Sequence, residues 1–231
     1  MPPVKSQGIQ GSCVAFATTY YMKSYQEKLQ YGYEYDNYEK VMSPAYVFNQ
    51  CKSSSDCSLG TCIEAALGIL KQQGTVSWKE FPYDENNCSR LPTIEQKKLA
   101  EVNKIKSFHQ ITANNTTADY TVVKIMKTLL FNKTPLVIGM RLDKNFQNSF
   151  PKDDKGTYIF KEYDEKLKID PHAMLIVGYD DDLQSFKVIN SWGVNWGNEG
   201  YCYISYDFFR DISDPLYKSG LLGVYFTIDN I

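Results

Sequence analysis

Histidine is scarce in this chain. Its 231 residues include only two histidines, His109 and His172. Histidine is the side chain whose ordinary pKa lies nearest neutrality, so an imidazole that acts as general base must be one of these two. His109 has no recognisable motif around it and is interpreted as structural. His172 begins an apolar segment and is the candidate base.

A block of positive charge and a long apolar run are both absent. The net charge is −2 and the basic residues are scattered, which gives no reason to expect nucleic acid or an anionic membrane as partner. No stretch approaches the roughly 18 consecutive apolar residues that span a bilayer. The N-terminal MPPV lacks the apolar core of a signal peptide, so we expect a mature unit cut from a longer precursor.

The six cysteines lack the C-x2-C spacing that is typical of zinc sites and redox motifs. Apart from Cys13, five remain, an odd number, so at least one is free or bonded to another molecule. Zinc bound near Cys51, Cys57 and Cys62 is an alternative to disulfides, but no histidine lies close in sequence. Disulfides would indicate an oxidising compartment outside the cytoplasm. The missing C-x-x-C partner of Cys13 argues against a thiol–disulfide oxidoreductase.

Helical patterns dominate the first hundred residues. Ser12 is predicted to cap a helix over residues 12–30. Ser43-Pro44 combines a capping serine with proline at the first helical position, and it begins a second helix. Apolar residues at helical spacing predict a third helix over residues 61–73.

Short apolar runs dominate the remainder, after one more helix predicted over residues 122–131. Helices first and strands second predict an α+β protein, with a mainly helical lobe over residues 1–108 and a mainly β lobe over residues 109–231. A cleft between two such lobes is a preferred place for a ligand. The predicted strands cover residues 135–140, 173–177, 186–189, 201–205 and 222–228.

Three segments carry the side chains of a thiol nucleophile and its helpers. Cys13 ends the run QGIQGSC, His172 lies in PHAMLIVGY and Asn190 begins NSWGVNWG. A thiol, an imidazole and an amide in this order match a nucleophile, its base and a residue that orients the base. Gly11 allows close approach of the backbone, and the first turn of a helix favours the thiolate form of Cys13.

These segments resemble the papain family of cysteine peptidases, and the similarity extends along most of the chain. The matching features are the spacing of Gln7 and Cys13, the His-Ala pair before an apolar strand that ends in Gly-Tyr, and the Asn-Ser-Trp-Gly-x-x-Trp-Gly run. The resemblance implies a papain-like fold in which a helical N-terminal lobe and a barrel-like antiparallel C-terminal lobe flank the active-site cleft. It also implies a cysteine endopeptidase that acts through a thioester on Cys13 and needs no metal or cofactor.

The resemblance assigns a role to each catalytic residue. The thiolate of Cys13, paired with the imidazolium of His172, would attack the peptide carbonyl. Asn190 would accept the other ring N–H of the histidine, and Trp192 would cover that hydrogen bond and also contact the substrate. The side-chain amide of Gln7 and the backbone N–H of Cys13 would donate to the oxyanion.

Substrate contacts are implied in the same way. Gly60, followed by Thr61, occupies the place where the family pairs with the substrate backbone. The S2 pocket would be bordered by Gly139, Pro171 and Ala173. Because all three are small, the resemblance implies a preference for a bulky apolar P2 residue.

The resemblance further implies a disulfide between Cys51 and Cys88. In many members of the family a cysteine at the position of Gln10 pairs in the Cys57 region; without it, Cys62 is one candidate partner for Cys57, and this pairing stays open. Cys202 is interpreted as a buried free thiol.

Three positions depart from the usual pattern of the family. Val14 follows the nucleophile where tryptophan is usual, Pro171 precedes the base where Asn or Asp is usual, and Gln10 replaces a cysteine that many members have. A catalytically silent binding protein with the same fold is therefore one alternative. A transferase that passes the acyl group to an amine or a thiol is another, since it would use the same motif.

The expected partners follow from the family. They are a protein or peptide substrate and an inhibitory pro-segment that lies outside this chain, and the protein is expected to be monomeric. The expected location is secreted, periplasmic or cell-surface, or a lysosome-like compartment in a eukaryote.

Overall fold

Two compact units make up the protein. The computed structural model describes residues 1–35, 38–111, 120–148, 159–161, 164–210 and 221–229. One unit comprises residues 1–108 together with the end of the chain from Thr227, and the other comprises residues 109–226.

Helices form most of the first unit. A continuous helical run begins at Cys13 and includes a wide π-helical segment, which is a feature often found near functional sites. The elements of this unit are α1 (Cys13–Ala15), the π-helical segment (Phe16–Lys23), α2 (Ser24–Tyr31), α3 (Pro44–Cys51), α4 (Ile63–Gln72), α5 (Ile94–Ala100) and a 3₁₀ turn (Glu101–Asn103).

The two predicted helix starts differ in how they are capped. The Ser43 hydroxyl accepts a hydrogen bond from the Tyr46 N–H at 3.1 Å, so the predicted cap of α3 is confirmed. Ser12 does not cap α1, because its backbone is not extended (φ −96°, ψ 17°). Its hydroxyl bonds instead to the Tyr83 hydroxyl at 2.7 Å. The helix nevertheless begins where it was predicted, with Cys13 in the first turn.

The last strand is anchored in the first unit by buried polar groups. The Lys23 ammonium lies 2.6 Å from a carboxylate oxygen of Glu27 and 2.6 Å from one of Asp229. The Gln26 side-chain amide donates to the Thr227 hydroxyl at 2.8 Å. Since a buried charge is tolerated only when it is paired, these contacts fix the end of the strand on the helix.

A seven-stranded sheet organises the rest of the chain. Its order is β1-β7-β2-β4-β5-β6-β3, and β3 is parallel to its neighbour β6, whereas β2, β4, β5, β6 and β7 pair antiparallel. The strands are β1 (Ile105–Gln110), β2 (Leu136–Met140), β3 (Ile159–Phe160), β4 (His172–Asp180), β5 (Ser185–Ile189), β6 (Tyr201–Ser205) and β7 (Leu221–Asp229). The helices are α6 (Tyr120–Phe131), α7 (Lys144–Asn148) and α8 (Asp207–Arg210), with a 3₁₀ turn (Glu165–Leu167).

The α+β class is confirmed, but the β region differs from expectation. The sheet is open, with β1 and β3 at its edges, so the described strands do not close into a barrel. Strand β1 was not predicted. Its residues Lys106, Ser107, His109 and Gln110 are polar, and an edge strand lacks the strong apolar pattern of a central one.

Both faces of the central strands are buried. Leu136 and Ile138 point into a core that α6 covers, and Val137, Leu175 and Ile189 lie on the other face and are also buried. Strands buried on both sides have no polar alternation, which explains why they were recognisable as continuous apolar runs.

The cysteine pairing differs from the one that was expected. Cys57 is bonded to Cys88, with their Cα atoms 5.7 Å apart, so neither Cys51–Cys88 nor Cys57–Cys62 is formed. The chain between α3 and α4 turns back on itself and carries Cys57, not Cys51, to Cys88. Cys202 is a buried free thiol, as predicted.

This pairing also weakens the zinc alternative. Cys57 is bonded in the disulfide, so it cannot bind a metal ion as a thiolate. Across the described ranges, no group of three or more His, Cys, Asp or Glu side chains is placed to hold a metal ion.

No helix in the part of the chain that the structure describes is long and apolar enough to cross a membrane.

Candidate active site

Cys13 is held in a tight turn at the start of the helical run. The turn is closed by a hydrogen bond from the Ser12 N–H to the Gln10 carbonyl at 2.8 Å. Gly11 has no room for a side chain, because a Cβ atom there would lie 2.4 Å from the Ser58 carbonyl oxygen and 2.9 Å from the Gly60 nitrogen. The close approach that the sequence suggested for Gly11 is therefore present, and it seats the turn against a neighbouring loop.

Gln7 is buried beside this turn. Its side-chain nitrogen donates to the Gln10 carbonyl at 2.8 Å, which orients the amide. The Tyr83 hydroxyl donates to the Gln7 backbone carbonyl at 2.7 Å. Tyr83 has one hydroxyl hydrogen, so in its second contact, at 2.7 Å, the Ser12 hydroxyl is the donor.

Tyr83 is a positioning residue that sequence reasoning missed. Burial raises the pKa of its phenol well above the ordinary value, so the hydroxyl remains a donor at every physiological pH. Its ring also packs edge-on against Phe16 with centroids 5.0 Å apart. The available signal was the Phe-Pro-Tyr run at residues 81–83.

His172 and Asn190 form a buried pair in the second unit. The Nε2 atom of His172 lies 2.7 Å from the Oδ1 atom of Asn190. The same Oδ1 accepts the Ser191 N–H at 2.7 Å, and a backbone N–H at this atom identifies it as the amide oxygen. Because that oxygen can only accept, Nε2 must carry a hydrogen. In the neutral ring, Nδ1 is then the basic nitrogen.

The strand register explains why these residues meet. Strands β4 and β5 are antiparallel, with Leu175 opposite Ile189. Continuing this register past the end of β5 brings His172 beside residues 190–192. Asn190 is held there by a hydrogen bond from its N–H to the Gly200 carbonyl at 3.0 Å.

Aromatic rings pack beside His172, and one of them belongs to Trp192, to which the resemblance assigned the cover of the His172–Asn190 hydrogen bond. The Trp192 ring lies 4.6 Å from the His172 ring. Trp196 packs edge-on against Trp192 at 5.3 Å, and Phe146 contacts both indoles at 5.9 and 5.3 Å. Phe146, at the centre of α7, had no sequence motif to mark it.

The glycines of the two Trp-Gly pairs are required by the backbone. Gly193 and Gly197 have φ values of +81° and +61°, in the left-handed region that disfavours other residues. A Cβ atom on Gly197 would also lie 2.4 Å from the Tyr201 carbonyl oxygen. The glycines therefore allow the chain to turn so that both indoles reach one cluster.

Burial controls the protonation of His172. Burial lowers the pKa of its ring to about 4, and the hydrogen bond to Asn190 opposes this only in part. The ring is therefore neutral at neutral pH in the absence of an anionic partner. The predicted imidazolium needs the negative charge of a thiolate to offset its desolvation.

Acid should destabilise the protein through this residue. The ring has a pKa of about 4 in the folded protein and 6.5 as its ordinary value. As the pH falls, the unfolded chain therefore binds the proton before the folded protein does. The contribution of the neutral ring to the free energy of unfolding is complete above pH 6.5 and is lost as the pH falls toward 4. The full size of this contribution is about 3 kcal/mol.

Denaturant unfolding at pH 7.5 and 4.5 tests this prediction. Between these two pH values, His172→Gln should lose less of its free energy of unfolding than the parent protein does. Equal losses would contradict the neutral buried ring.

The predicted backbone-binding residues lie beside the Cys13 turn. Gly60 is exposed, and the Gly11 carbonyl oxygen lies 3.5 Å from where its Cβ atom would be. The hydroxyl of Thr61 donates to the Cys51 carbonyl at 2.5 Å. The structure therefore leaves Gly60 accessible, whereas the Thr61 hydroxyl bonds within the loop.

Of the three predicted S2 residues, two pair across neighbouring strands and one lies just before a strand. Gly139 lies directly opposite Ala173 in the pairing of β2 with β4, and Gly223 of β7 lies on its other side. Pro171 precedes β4 and is exposed. Gly139 and Ala173 are therefore neighbours, and their role in binding substrate remains a prediction.

Sequence comparison identifies related proteins over most of the chain. The family model described as papain family cysteine protease matches residues 1–212. An uncharacterized peptidase C1-like protein of Acanthamoeba polyphaga mimivirus is 26% identical over 211 residues, which is 89% of this chain and 65% of that protein. Cathepsin K of Mus musculus is 27% identical over 209 residues, 88% of this chain and 56% of that protein. The chain is thus shorter than these relatives.

Solved structures agree on the fold. Xylellain, a cysteine protease from Xylella fastidiosa, has a TM-score of 0.76 at 21% identity, and the match covers 100% of this chain and 85% of that one. The Carica candamarcensis cysteine protease in complex with E-64 has a TM-score of 0.69 at 19% identity, with coverage of 100% and 94%. Together with the match of the family model to nine tenths of the sequence, these findings show that the chain belongs to the papain family of cysteine proteases.

Proposed function

We propose that this protein is an endopeptidase that hydrolyses peptide bonds through an acyl-enzyme on Cys13 and prefers a bulky apolar P2 residue. The observation that carries the proposal is the hydrogen bond of 2.7 Å between the buried side chains of His172 and Asn190. It leaves Nδ1 of the ring as the basic nitrogen, which is what a partner of a thiol nucleophile requires.

The proposed reaction begins with proton transfer from the Cys13 thiol to Nδ1 of His172. The thiolate attacks the peptide carbonyl carbon, and the oxyanion accepts hydrogen bonds from the Gln7 amide and the Cys13 N–H. One such donor is typically worth about 10²–10³-fold in rate. His172 then protonates the leaving amine. In the second half His172 takes a proton from water, whose oxygen attacks the thioester carbonyl. The C–S bond then breaks, the acid is released and the Cys13 sulfur regains the proton from His172.

Two features of the first unit support these roles. Cys13 begins a helical run, and the N-terminal end of a helix favours a negative charge on the sulfur. Gln7 is buried and its amide is oriented by the Gln10 carbonyl, so little reorganisation would be needed when charge develops on the substrate.

The P2 preference rests on the small residues that border the proposed pocket. Replacing Gly139 with valine is expected to lower kcat/KM about 10–200-fold for substrates with Phe or Leu at P2, and far less for Ala at P2, because the added methyl groups fill the space. Blocked peptides, acetylated at the N-terminus and amidated at the C-terminus, should be used. Internal cleavage of these peptides would also separate endopeptidase from exopeptidase activity.

The matched control is Gly178→Val. Gly178 is another strand glycine, and a Cβ atom there would meet only the Lys187 Cβ, at 3.9 Å. This variant should retain the P2 preference of the parent. An unchanged preference in Gly139→Val would remove Gly139 from the pocket.

We further propose that the substrates are proteins or peptides outside the cytoplasm, met in a secreted, periplasmic or cell-surface setting. The Cys57–Cys88 disulfide supports this location, since such bonds persist in oxidising compartments. A pro-segment from a longer precursor would inhibit the enzyme until it is removed. The mature protein would act as a monomer.

Labelling with an epoxysuccinyl inhibitor tests the proposal directly. After incubation under mild reduction, the intact mass should show one adduct on the parent protein and none on Cys13→Ala. A peptide map should place the adduct on Cys13. The absence of an adduct would favour a binding protein without catalysis. Transfer of the acyl group to an added amine, rather than to water, would favour a transferase.

A further inference from the structure

Two free thiols lie at the base of one loop. Cys51 is the last residue of α3 and Cys62 immediately precedes α4, and these two helices pack against each other. Neither is bonded in the structure: Cys51 is half-buried and Cys62 is exposed. Neither takes part in the proposed catalysis.

Hydrogen bonds bring the two ends of the loop together. The Thr61 hydroxyl donates to the Cys51 carbonyl at 2.5 Å. The Ser53 hydroxyl donates to the Gly60 carbonyl at 2.7 Å, one step further along the loop. The backbone of Cys51 therefore lies next to the residue that precedes Cys62 in the chain.

Electrostatics agree with this geometry. Burial raises the pKa of the Cys51 thiol to about 11, and the charge of the neighbouring Cys62 raises it further in the same direction. This direction is the one expected when a second thiol lies near the first.

We propose that Cys51 and Cys62 form a second disulfide, which closes the loop over residues 52–61 when the protein is in an oxidising compartment. The first disulfide ties the middle of this loop, through Cys57, to Cys88. The second would tie its two ends to each other. This inference does not depend on the proposed catalytic roles.

The oxidant would be a low-molecular-weight disulfide, such as oxidised glutathione. The exposed Cys62, as thiolate, attacks one sulfur of the oxidant, forms a mixed disulfide and releases one thiol. Cys51 loses its proton and attacks the Cys62 sulfur, and the second thiol leaves. The two protein thiols are oxidised by two electrons in total, and one small disulfide is reduced to two thiols. Because Cys51 holds its proton tightly, the second step should be the slower one.

The loop also touches the Cys13 turn. The Gly11 N–H donates to the Cys57 carbonyl at 2.8 Å, and Gly60 lies beside Gly11. Closing the loop would therefore restrain the backbone beside the nucleophile. The effect of this restraint on substrate binding rests on the proposed function, whereas the formation of the disulfide does not.

Thiol mapping after equilibration with oxidised and reduced glutathione tests the bond. Acid quenching, N-ethylmaleimide labelling and digestion should show Cys51 and Cys62 losing the label together, with a linked peptide about 2 Da lighter than the sum of its two thiol peptides. In Cys51→Ser, Cys62 should stop at the mixed disulfide with glutathione. In Cys62→Ser, Cys51 should stay labelled. The matched control Cys202→Ser should behave like the parent protein.

Three results would overturn the proposal. Both thiols could stay labelled under conditions in which Cys57–Cys88 remains oxidised, Cys62 could stop at the mixed disulfide in the parent protein, or the linked peptide could contain Cys57 or Cys88. None of these results depends on peptidase activity, so failure here is separate from failure of the inhibitor to label Cys13.

As a second readout, oxidation should slow hydrogen–deuterium exchange over residues 53–60 in the parent protein but not in Cys51→Ser. Unchanged exchange would show that the bond does not restrain the loop.

Discussion

Replacing Cys13 with alanine is expected to lower kcat/KM for peptide hydrolysis by about 10⁴–10⁶-fold. The reason is that the sulfur forms the covalent bond of the proposed acyl-enzyme, and no other atom of alanine can replace it. Stability should change little, because the substitution removes one buried atom from the first turn of a helix and alanine is the best helix former. The measurement is kcat/KM on a blocked fluorogenic peptide, together with the midpoint of denaturant unfolding.

Cys202→Ala is the matched control for this prediction. Cys202 is also a buried free thiol, but it lies in β6 of the second unit, and burial keeps its pKa well above the ordinary value. Its replacement should leave kcat/KM near that of the parent. If Cys13→Ala kept a tenth of the parental activity, the nucleophile would have to be another group.

Replacing His172 with glutamine is expected to reduce kcat by about 10⁴-fold or more. Glutamine retains an amide that can donate to the Asn190 oxygen, so the buried acceptor stays satisfied. It has no nitrogen that can take the thiol proton or return one to the leaving amine. The loss should therefore appear mainly in kcat, with a much smaller change in KM, as measured by full steady-state kinetics.

The second histidine of the chain supplies the control. His109 lies in β1, is exposed and stacks on Phe226 with ring centroids 5.1 Å apart. His109→Gln should keep the parental kcat. Added imidazole should restore part of the activity of a His172→Gly variant, which a purely structural role would not allow. Full activity of His172→Gln would refute the proposed base.

Short-range patterns in the sequence were reliable. The serine cap of α3, the helix over α4 and the apolar strands β2, β5 and β6 were each recognisable from a few neighbouring residues. The three motifs around Cys13, His172 and Asn190 pointed to the papain family, which the family match confirms. Such patterns succeed because caps, periodicity and turn glycines act over distances of a few residues.

Cysteine pairing was not predictable in this way. The resemblance implied Cys51–Cys88, but the structure bonds Cys57 to Cys88. Which thiols meet depends on the path of the loop over residues 52–61, and that path is set by contacts with Gly11, far away in sequence. Connectivity therefore follows from tertiary structure, as it does whenever several cysteines are available.

The supporting residues of the candidate site were also hidden from the sequence. Tyr83 reaches Gln7 and Ser12 across more than seventy residues of chain, and Phe146 reaches Trp192 from α7. A tyrosine or a phenylalanine in isolation most often indicates packing, so nothing local distinguished these two. Their roles are visible only where separate segments converge.

By itself, the sequence determined the fold class, the family and the identity of the candidate nucleophile, base and orienting amide, because these depend on local patterns and on residue chemistry. Tertiary structure decided the disulfide, the open sheet and the lowered pKa of the His172 ring. The last of these has a plain physical cause: the pKa of an imidazole responds to the dielectric around it, and only the folded chain brings together the residues that exclude water from the ring.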